Sequence, residues 1–135
     1  MIKMVKNDSY DGLQENIRNL KTPKIEVWKN KYSDKTYVIN IYTDEFSCIC
    51  PKTGLPDYAT IDINYTPDKH CVELKSFKLY LVSYHNIGVF HEHITNKILD
   101  DFIKASCPKQ ASITTVFNLR GGIKTTVTRE YKRKG

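Results

Sequence analysis

Residues 61–84, IDINYTPDKHCVELKSFKLYLVSY, decide the fold because the spacing of their hydrophobic residues changes halfway along. Residues 61–65 alternate between apolar and polar side chains, which predicts a half-buried β-strand that ends before Pro67. Apolar side chains from Phe77 to Tyr84 then recur at i, i+3, i+4 and i+7, which predicts one buried face of an α-helix. This stretch therefore predicts a strand followed by a helix.

The flanking segments extend this pair of elements to the order β-β-α-α-β-β. Residues 36–46 are rich in β-forming residues and predict the first strand. A second helix is predicted from about His91 to Ala105, with Pro108 beyond its end. Two alternating strands then close the chain on either side of a turn at residues 121–122. The sequence predicts an α+β domain with two helices on one face of an antiparallel sheet.

The whole chain, residues 1–135, is predicted to form a single soluble domain. Its hydrophobic fraction of 40% is enough for a real core, and no apolar run approaches the roughly 18 residues that a membrane helix needs. The first residues are too polar for a signal peptide, so we expect a cytoplasmic protein. Residues 1–35 are the poorly defined part, although residues 24–28 are compatible with a short strand.

The net charge of +6 predicts an anionic partner, either nucleic acid or a phosphorylated cofactor. Part of this surplus lies in residues 129–134, which we expect to be a solvated end of the chain.

The four cysteines are Cys48, Cys50, Cys71 and Cys107. Disulfides are not expected in a cytoplasmic chain, and Cys48 and Cys50 form the only close pair, so a zinc site would need distant residues to be gathered by folding. The alternative is one reactive thiolate, with the other cysteines packed as small apolar residues.

A four-stranded sheet with helices on one side leaves two edges and one face uncovered. The strands that begin near residues 36 and 123 are long and carry few charges, so their edges can pair with another copy of the chain. Closure into a barrel of several subunits would cover these edges. A monomer whose edges are blunted by loops remains the alternative.

Residues 50–57, CPKTGLPD, form a loop that contains the first candidate for chemistry. A cysteine followed by Pro51 can face free backbone N–H groups at a tight turn, which would lower its pKa. Asp57 can share the same pocket as a proton donor or base. The alternative is a turn with an incidental cysteine.

Residues 73–80, ELKSFKLY, place Lys75 and Lys78 beside the start of the first predicted helix. Free N–H groups at a helix N-terminus and nearby positive charge both favour phosphate. The alternative is an ordinary amphipathic helix whose lysines face water.

Residues 90–93, FHEH, place Glu92 in the first turn of the second helix. A buried carboxylate there can accept two parallel hydrogen bonds from the N1–H and 2-amino groups of a guanine-like base. The alternative is that Glu92 only interacts favourably with the helix dipole.

Together these stretches resemble the short, single-module form of the QueF family, the NADPH-dependent 7-cyano-7-deazaguanine reductases of queuosine biosynthesis. Residues 73–80 meet the family signature E-(S/L)-K-(S/A)-x-K-L-(Y/F/W), and residues 50–57 meet its C-P-x-T-G-x-P-D loop. The F-H-E and R-G-G motifs of the family occur at residues 90–92 and 120–122, in the family's order and at its spacing.

The resemblance covers roughly residues 46–122, and the first 35 residues add nothing to it. It departs from the family at residues 85–88, HNIG, where members often have RNHG. No role is therefore carried over to His85.

The resemblance implies the tunnelling fold, in which subunits join their sheets into a barrel and bind purine-like or pterin-like ligands between subunits. For the short form it implies a homodecamer of two stacked pentamers, with no membrane association and no direct binding of nucleic acid. The implied reaction reduces the nitrile to the primary amine 7-aminomethyl-7-deazaguanine with two hydrides from NADPH.

The resemblance also implies residue roles. Cys50 would attack the nitrile carbon and form a covalent thioimide, since the thiolate and not the thiol is the nucleophile. Asp57 would protonate the nitrogen. The implied binding residues need no metal ion, and they are Val72, Glu73, Leu74, His91 and Glu92 for the substrate and Lys75, Ser76, Lys78, Arg120 and Gly121 for NADPH.

Three other functions remain open. A zinc-dependent GTP cyclohydrolase of the same fold would use cysteine and histidine as metal ligands. An archaeal amidinotransferase-like relative would keep the nucleophilic cysteine but lack the NADPH signature, which residues 73–80 retain. A small RNA-binding module would need exposed aromatic side chains beside its lysines, whereas the aromatic residues from Phe77 to Tyr84 form a predicted core stripe.

Overall fold

The protein is represented by a computed structural model that describes residues 21–134. The sequence predicts little for residues 1–35, and residues 1–20 of that segment lie outside the described residues. The rest of the segment contains a short strand. The elements in chain order are β1 Val27–Lys29, β2 Ile39–Ile49, β3 Pro56–Thr66, β4 His70–Val72, α1 Leu74–Val82, α2 His91–Ser106, β5 Gln110–Arg120 and β6 Ile123–Lys132.

The main sheet is antiparallel and has the strand order β2-β3-β5-β6. The inward side chains of β3, Ile61, Ile63 and Tyr65, are at most 2% exposed and share one core with the apolar faces of both helices. The outward positions between them are less buried, so the alternation in the sequence correctly predicts the strand. The α+β architecture is confirmed, and β2 and β6 are the two edges, as predicted.

The predicted loop at residues 50–57 is shorter than expected. β3 already begins at Pro56, which lies opposite Ile49 of β2. A proline is tolerated at the first position of a strand, where its missing N–H is not needed for the ladder. Asp57 is therefore the second residue of a regular strand, with its side chain buried on the helix side of the sheet.

The first helix begins and ends earlier than its apolar pattern predicts. α1 ends at Val82, and Tyr84 lies in the turn that follows. The hydroxyl of Tyr84 still lies 3.0 Å from that of Tyr80, and both rings are buried. Because Tyr84 packs into the same core from the turn, its spacing resembles that of a helical residue. The prediction of a core aromatic stripe is confirmed, but the predicted end of the helix was wrong.

The predicted bounds of the second helix are confirmed to within one residue. α2 begins at His91, as predicted, and ends at Ser106, followed by Cys107 in the left-handed conformation with φ of 48°. Its buried face contains Ile94, Ile98 and Phe102. Neither helix within residues 21–134 is long and apolar enough to cross a membrane.

A second, two-stranded sheet was not predicted in full. β4 pairs with β1 in antiparallel register, from Val72 opposite Val27 to His70 opposite Lys29. The short strand predicted at residues 24–28 is thus confirmed with a small shift. β4 was missed because three residues are too few to show an alternating pattern.

The basic end of the chain is largely exposed, as expected, although it is not a free tail. β6 continues to Lys132, so most of this segment is a strand. Arg129 Nη1 lies 2.7 Å from Asp100 Oδ1 on α2, and Arg133 Nη2 lies 2.9 Å from Asp68 Oδ2. These ion pairs attach the last strand to the rest of the domain.

Candidate active site

Cys50 lies in the turn between β2 and β3, at the end of the sheet where α2 begins. Two backbone hydrogen bonds close this turn. The N–H of Cys50 donates to the carbonyl of Leu55 at 2.9 Å, and the N–H of Gly54 donates to the carbonyl of Cys50 at 2.8 Å. Gly54 has φ of 71°, a conformation that favours glycine. The position of Cys50 is therefore fixed by the backbone around it.

The pKa of the Cys50 thiol is lowered from its ordinary value. Burial opposes ionisation, but the hydroxyl and backbone N–H of Thr53 and the backbone N–H of Lys52 stabilise the thiolate more strongly, also against the charge of Asp57. The effect predicted for N–H groups after a Cys-Pro pair is present. Cys50 is only half-buried, so its thiolate is available to a ligand.

The other cysteines provide contrasts to Cys50. Cys48, two residues earlier on β2, is fully buried, and its burial together with the charges of Asp57 and Cys50 raises its pKa to about 12. All four cysteines are free thiols, and Cys107 is exposed. Within residues 21–134, no three His, Cys, Asp or Glu side chains are gathered in a way that could hold a metal ion.

Asp57 is the central charged group at this end of the sheet. Its side chain is 7% exposed, and both of its oxygens have partners. Oδ2 lies 3.1 Å from Nε2 of His91, and Oδ1 lies 3.0 Å from Nε of Arg120. The carboxylate therefore joins the start of β3 to the first residue of α2 and the last residue of β5.

His91 is held flat in this cluster by its neighbours. Its ring stacks on that of Phe117 of β5, with centroids 3.6 Å apart and planes 4° from parallel. Its carbonyl accepts a 2.8 Å hydrogen bond from the hydroxyl of Thr95, which also lies 2.6 Å from the buried hydroxyl of Thr115. α2 and β5 thus fix the histidine whose Nε2 faces Asp57.

Glu92 follows His91 in the first turn of α2 and is exposed. Within residues 21–134 its carboxylate makes no hydrogen bond or ion pair, while its carbonyl accepts a hydrogen bond from Asn96. Both interpretations of Glu92, ligand binding and helix stabilisation, are compatible with this position.

The second group of predicted residues lies at the start of α1, near the other end of β3. The N–H of Val72 donates a 3.0 Å hydrogen bond to the hydroxyl of Tyr65, close to the end of β3. Leu74, the first residue of α1, is 60% exposed. Val72 and Leu74 line a concave surface of about 550 Å³ between the small sheet and β2.

Glu73 is the N-cap of α1. Its two carboxylate oxygens accept hydrogen bonds from the N–H groups of Lys75, at 2.9 Å, and Ser76, at 2.8 Å. These bonds, first that from Ser76 and then that from Lys75, lower the pKa of Glu73. The N-terminal N–H groups predicted to attract phosphate are in part already occupied by this carboxylate.

The remaining residues of the signature have different exposures. Ser76 is buried, and its hydroxyl donates to the carbonyl of Glu73 and accepts from the N–H of Glu26, both at 2.8 Å. Lys75 and Lys78 are exposed. Lys78 lines a groove of about 410 Å³ between β2 and α1, which also contains Glu45, Ser47 and His85. This groove therefore contains both the cationic side chain of Lys78 and the carboxylate of Glu45.

The predicted residues are therefore divided between two regions of the chain. We call the first the nucleophile end, which contains Cys50, Asp57, His91, Glu92, Arg120 and Gly121, and the second the signature end, which contains Val72, Glu73, Leu74, Lys75, Ser76 and Lys78. Val72 contacts Tyr65, which lies eight residues, or about 26 Å, along β3 from Asp57, whereas Lys78 lies further along α1, beside Ser47 of β2. Both the substrate set and the cofactor set are split between the two ends.

Sequence analysis missed two contacts of the nucleophile end. Arg120 was assigned only to the cofactor, although its guanidinium lies against Asp57. Phe117 falls within a predicted alternating strand and received no role, although its ring stacks on that of His91. Neither contact has a local sequence signal, because both depend on how β3, β5 and α2 pack.

Comparison with known proteins gives consistent results. The family model described as QueF-like protein matches residues 56–135. The NADPH-dependent 7-cyano-7-deazaguanine reductase of Chlorobaculum tepidum is 51% identical over 109 residues, which cover 81% of this chain and 93% of that protein. The reductase of the same name from Chlorobium phaeovibrioides is 47% identical over 116 residues, which cover 86% of this chain and 100% of that protein.

Among solved structures, the chain resembles the archaeosine synthase QueF-Like in its apo form. The TM-score is 0.67 and the sequence identity 19%, with 73% of this chain and 96% of that chain covered. At this identity the similarity supports the fold alone, and it confirms the predicted fold class.

Proposed function

This chain belongs to the QueF-like family, and on that premise we propose that it reduces the nitrile of 7-cyano-7-deazaguanine to a primary amine with NADPH, as a step of queuosine biosynthesis. Relatives about half identical in sequence carry the name of this reaction, and the chain spans nearly all of their length. The observation that carries the proposal is the arrangement of the nucleophile end. Cys50, whose pKa is lowered, lies in the turn between β2 and β3, and the start of β3 then places the buried Asp57 beside His91.

In the proposed first step the Cys50 thiolate attacks the nitrile carbon. A C–S bond forms, one π bond of the C≡N group breaks, and the nitrogen gains an electron pair and then a proton. The lowered pKa of Cys50 supports this role, because a larger fraction of the side chain is thiolate at neutral pH. The product of this step is a covalent thioimide.

Asp57 and His91 are the proposed source of the proton. They lie 3.1 Å apart and can share one proton between Oδ2 and Nε2. Burial of Asp57 keeps bulk water from competing for that proton. Glu92 is proposed to accept two hydrogen bonds from the pyrimidinone edge of the substrate, together with His91 and the backbone of residues 72–74.

The residues proposed to hold NADPH are Lys75, Ser76 and Lys78 at the signature end and Arg120 and Gly121 at the nucleophile end. The two lysines are exposed, and Lys78 faces the groove beside β2, so they fit the phosphate groups of a dinucleotide. When bound, NADPH supplies hydride, two equivalents for each nitrile. We propose a preference for NADPH over NADH, because lysine and arginine can recognise the 2′-phosphate that NADH lacks.

The decisive test is to mix the purified protein with 7-cyano-7-deazaguanine and NADPH and to follow the loss of nicotinamide absorbance. Two cofactors consumed per nitrile would support the reaction. Equal catalytic efficiency with NADH would contradict the role of the basic residues, and one zinc per subunit with activity on GTP would support the cyclohydrolase alternative instead.

The division of the site supports an assembly of several copies. If the nucleophile end of one copy meets the signature end of its neighbour, both the substrate set and the cofactor set become complete. The open edges β2 and β6 are available for such pairing. We propose a homo-oligomer, a decamer of two pentamers whose sheets form barrels, with sites shared between neighbours.

Complementation tests this sharing. Cys50→Ala alters only the nucleophile end and Lys78→Glu only the signature end, so each variant alone should be inactive. Mixed assemblies of the two should regain activity at about a quarter of the sites, where both unaltered ends meet. No recovery in assemblies shown by native mass spectrometry to be mixed would place each site within one subunit.

The compartment and partners follow from the same proposal. Four free thiols fit a reducing compartment, so we propose a cytoplasmic enzyme. We propose that the net positive charge serves to bind the phosphorylated cofactor and not nucleic acid. The protein should therefore not shift the migration of tRNA in a native gel at physiological salt.

A further inference from the structure

The guanidinium of Arg120 makes a contact that a role in cofactor binding does not require. Arg120 is the last residue of β5, directly before the turn at Gly121 and Gly122. Its Nε lies 3.0 Å from Oδ1 of Asp57, although its side chain is 44% exposed. The exposed arginine thus reaches back to a carboxylate that is almost completely buried.

This contact occupies the oxygen of Asp57 that does not face His91. Oδ2 lies 3.1 Å from Nε2 of His91, and Oδ1 lies beside Arg120. With one partner on each oxygen, rotation of the carboxylate would disturb the hydrogen bond with His91 or the ion pair with Arg120. Arg120 therefore holds the side of the carboxylate away from His91 and helps to direct Oδ2 towards Nε2.

We propose that Arg120 is a positioning residue for the proton transfer that accompanies thioimide formation, an inference that rests on the proposed function. As the C–S bond forms and the nitrile π bond breaks, the nitrogen takes the proton shared by Asp57 and His91. The pair is left with one more negative charge in a buried place. The guanidinium of Arg120 stabilises that charge and keeps Oδ2 directed at His91.

This role can be separated from cofactor binding, because thioimide formation needs the nitrile but no NADPH. A residue that only contacts NADPH cannot change the rate at which the adduct forms in the absence of NADPH. A residue that positions Asp57 changes that rate and also its dependence on pH. The two roles therefore predict different results in a single-turnover measurement.

The experiment uses the full-length protein with 7-cyano-7-deazaguanine alone, and follows adduct formation by intact-mass spectrometry between pH 5 and 9. The variants are Arg120→Gln, which removes the charge, and Arg120→Lys, which retains it. The control is Arg129→Gln, which removes a surface arginine that pairs with Asp100 on α2. The melting temperature of each variant reports whether the fold is kept.

We expect Arg120→Gln to slow adduct formation by about ten- to a hundredfold and to change the shape of its pH profile. Arg120→Lys should recover part of the rate, and Arg129→Gln should match the wild type. Should Arg120→Gln fail to fold, a slowed rate and altered pH profile in Arg120→Lys would support the proposal.

An unchanged rate and pH profile in the folded Arg120 variants, with only the KM for NADPH raised, would overturn the proposal and leave Arg120 as a cofactor contact. That result leaves the proposed function intact, because the adduct still forms. If the wild-type protein forms no adduct at all, the proposed function fails, and this inference fails with it.

Discussion

Asp57 and Glu73 are both carboxylates among the predicted functional residues, but their partners come from different parts of the chain. Asp57 contacts His91 and Arg120, which lie on α2 and β5. Glu73 instead accepts hydrogen bonds from two N–H groups in the first turn of its own helix. The cluster around Asp57 is therefore assembled by tertiary packing, whereas the carboxylate of Glu73 at the signature end is held by its own helix. We expect substitutions at the first to affect chemistry and those at the second to affect binding and stability.

The largest effect is expected from removing the nucleophile. Cys50→Ala should lower the turnover number by more than about a thousandfold while leaving the melting temperature nearly unchanged, since the half-buried thiol contributes little to packing. Cys107→Ala, which removes an exposed thiol, is the matched control and should remain active. An adduct of nitrile that forms equally on Cys50→Ala would contradict the assignment.

Asp57→Asn is the next largest change and breaks the tertiary cluster directly. The amide keeps the shape but cannot accept from both His91 and Arg120 in the same way, so adduct formation should fall by about a hundredfold or more. Asp100→Asn, which removes a surface carboxylate paired with Arg129, is the control. Wild-type kinetics in Asp57→Asn would exclude Asp57 from proton transfer.

Glu92→Gln tests whether α2 contributes to substrate binding. An amide would place a donor against a donor of the substrate, so affinity for the nitrile should weaken by about tenfold to a hundredfold. The dissociation constant for NADPH should hardly change. Unchanged nitrile affinity together with a lowered melting temperature would show that Glu92 only stabilises the start of its helix.

The smallest effect of the series, a loss of stability, is expected from Glu73→Gln, which weakens the local cap of α1. The lowered pKa of Glu73 means that its charge stabilises the fold above the unfolded-state pKa and that this contribution is lost as the pH falls through the folded-state pKa. The melting temperature of Glu73→Gln should therefore be below that of the wild type at pH 7, and the difference should shrink under acid. A difference that does not depend on pH would contradict the role of the charge.

The same contrast explains which features could be predicted from the sequence. The start of α2 at His91 and the alternation of Ile61, Ile63 and Tyr65 depend on local spacing, and both are confirmed. The 3.0 Å contact of Arg120 with Asp57 depends on the end of β5, where the pairing with β6 is irregular after Phe117. No periodicity reports such an irregularity, so the sequence could not assign this contact.

The boundaries that failed have a related cause. Tyr84 continues the spacing of α1 but belongs to the turn after it, because the core accepts an aromatic ring from either conformation. Strand β4 was missed because its partner β1 is remote in sequence and only three residues pair. In both cases the structure is decided by a neighbour that a local window of sequence does not contain.

The pairing of β3 with β5 has a consequence for how the chain folds. Ala59 lies opposite Phe117 and Thr66 opposite Gln110, so the centre of the sheet joins segments that are separated by both helices. A topology with so many non-local contacts predicts slower folding than that of a helical bundle, because a long loop must close before these contacts form. A nascent chain that has not yet emerged as far as β5 therefore holds Asp57 on a strand that lacks one partner, and the cluster around Asp57 is assembled only after β5 has emerged.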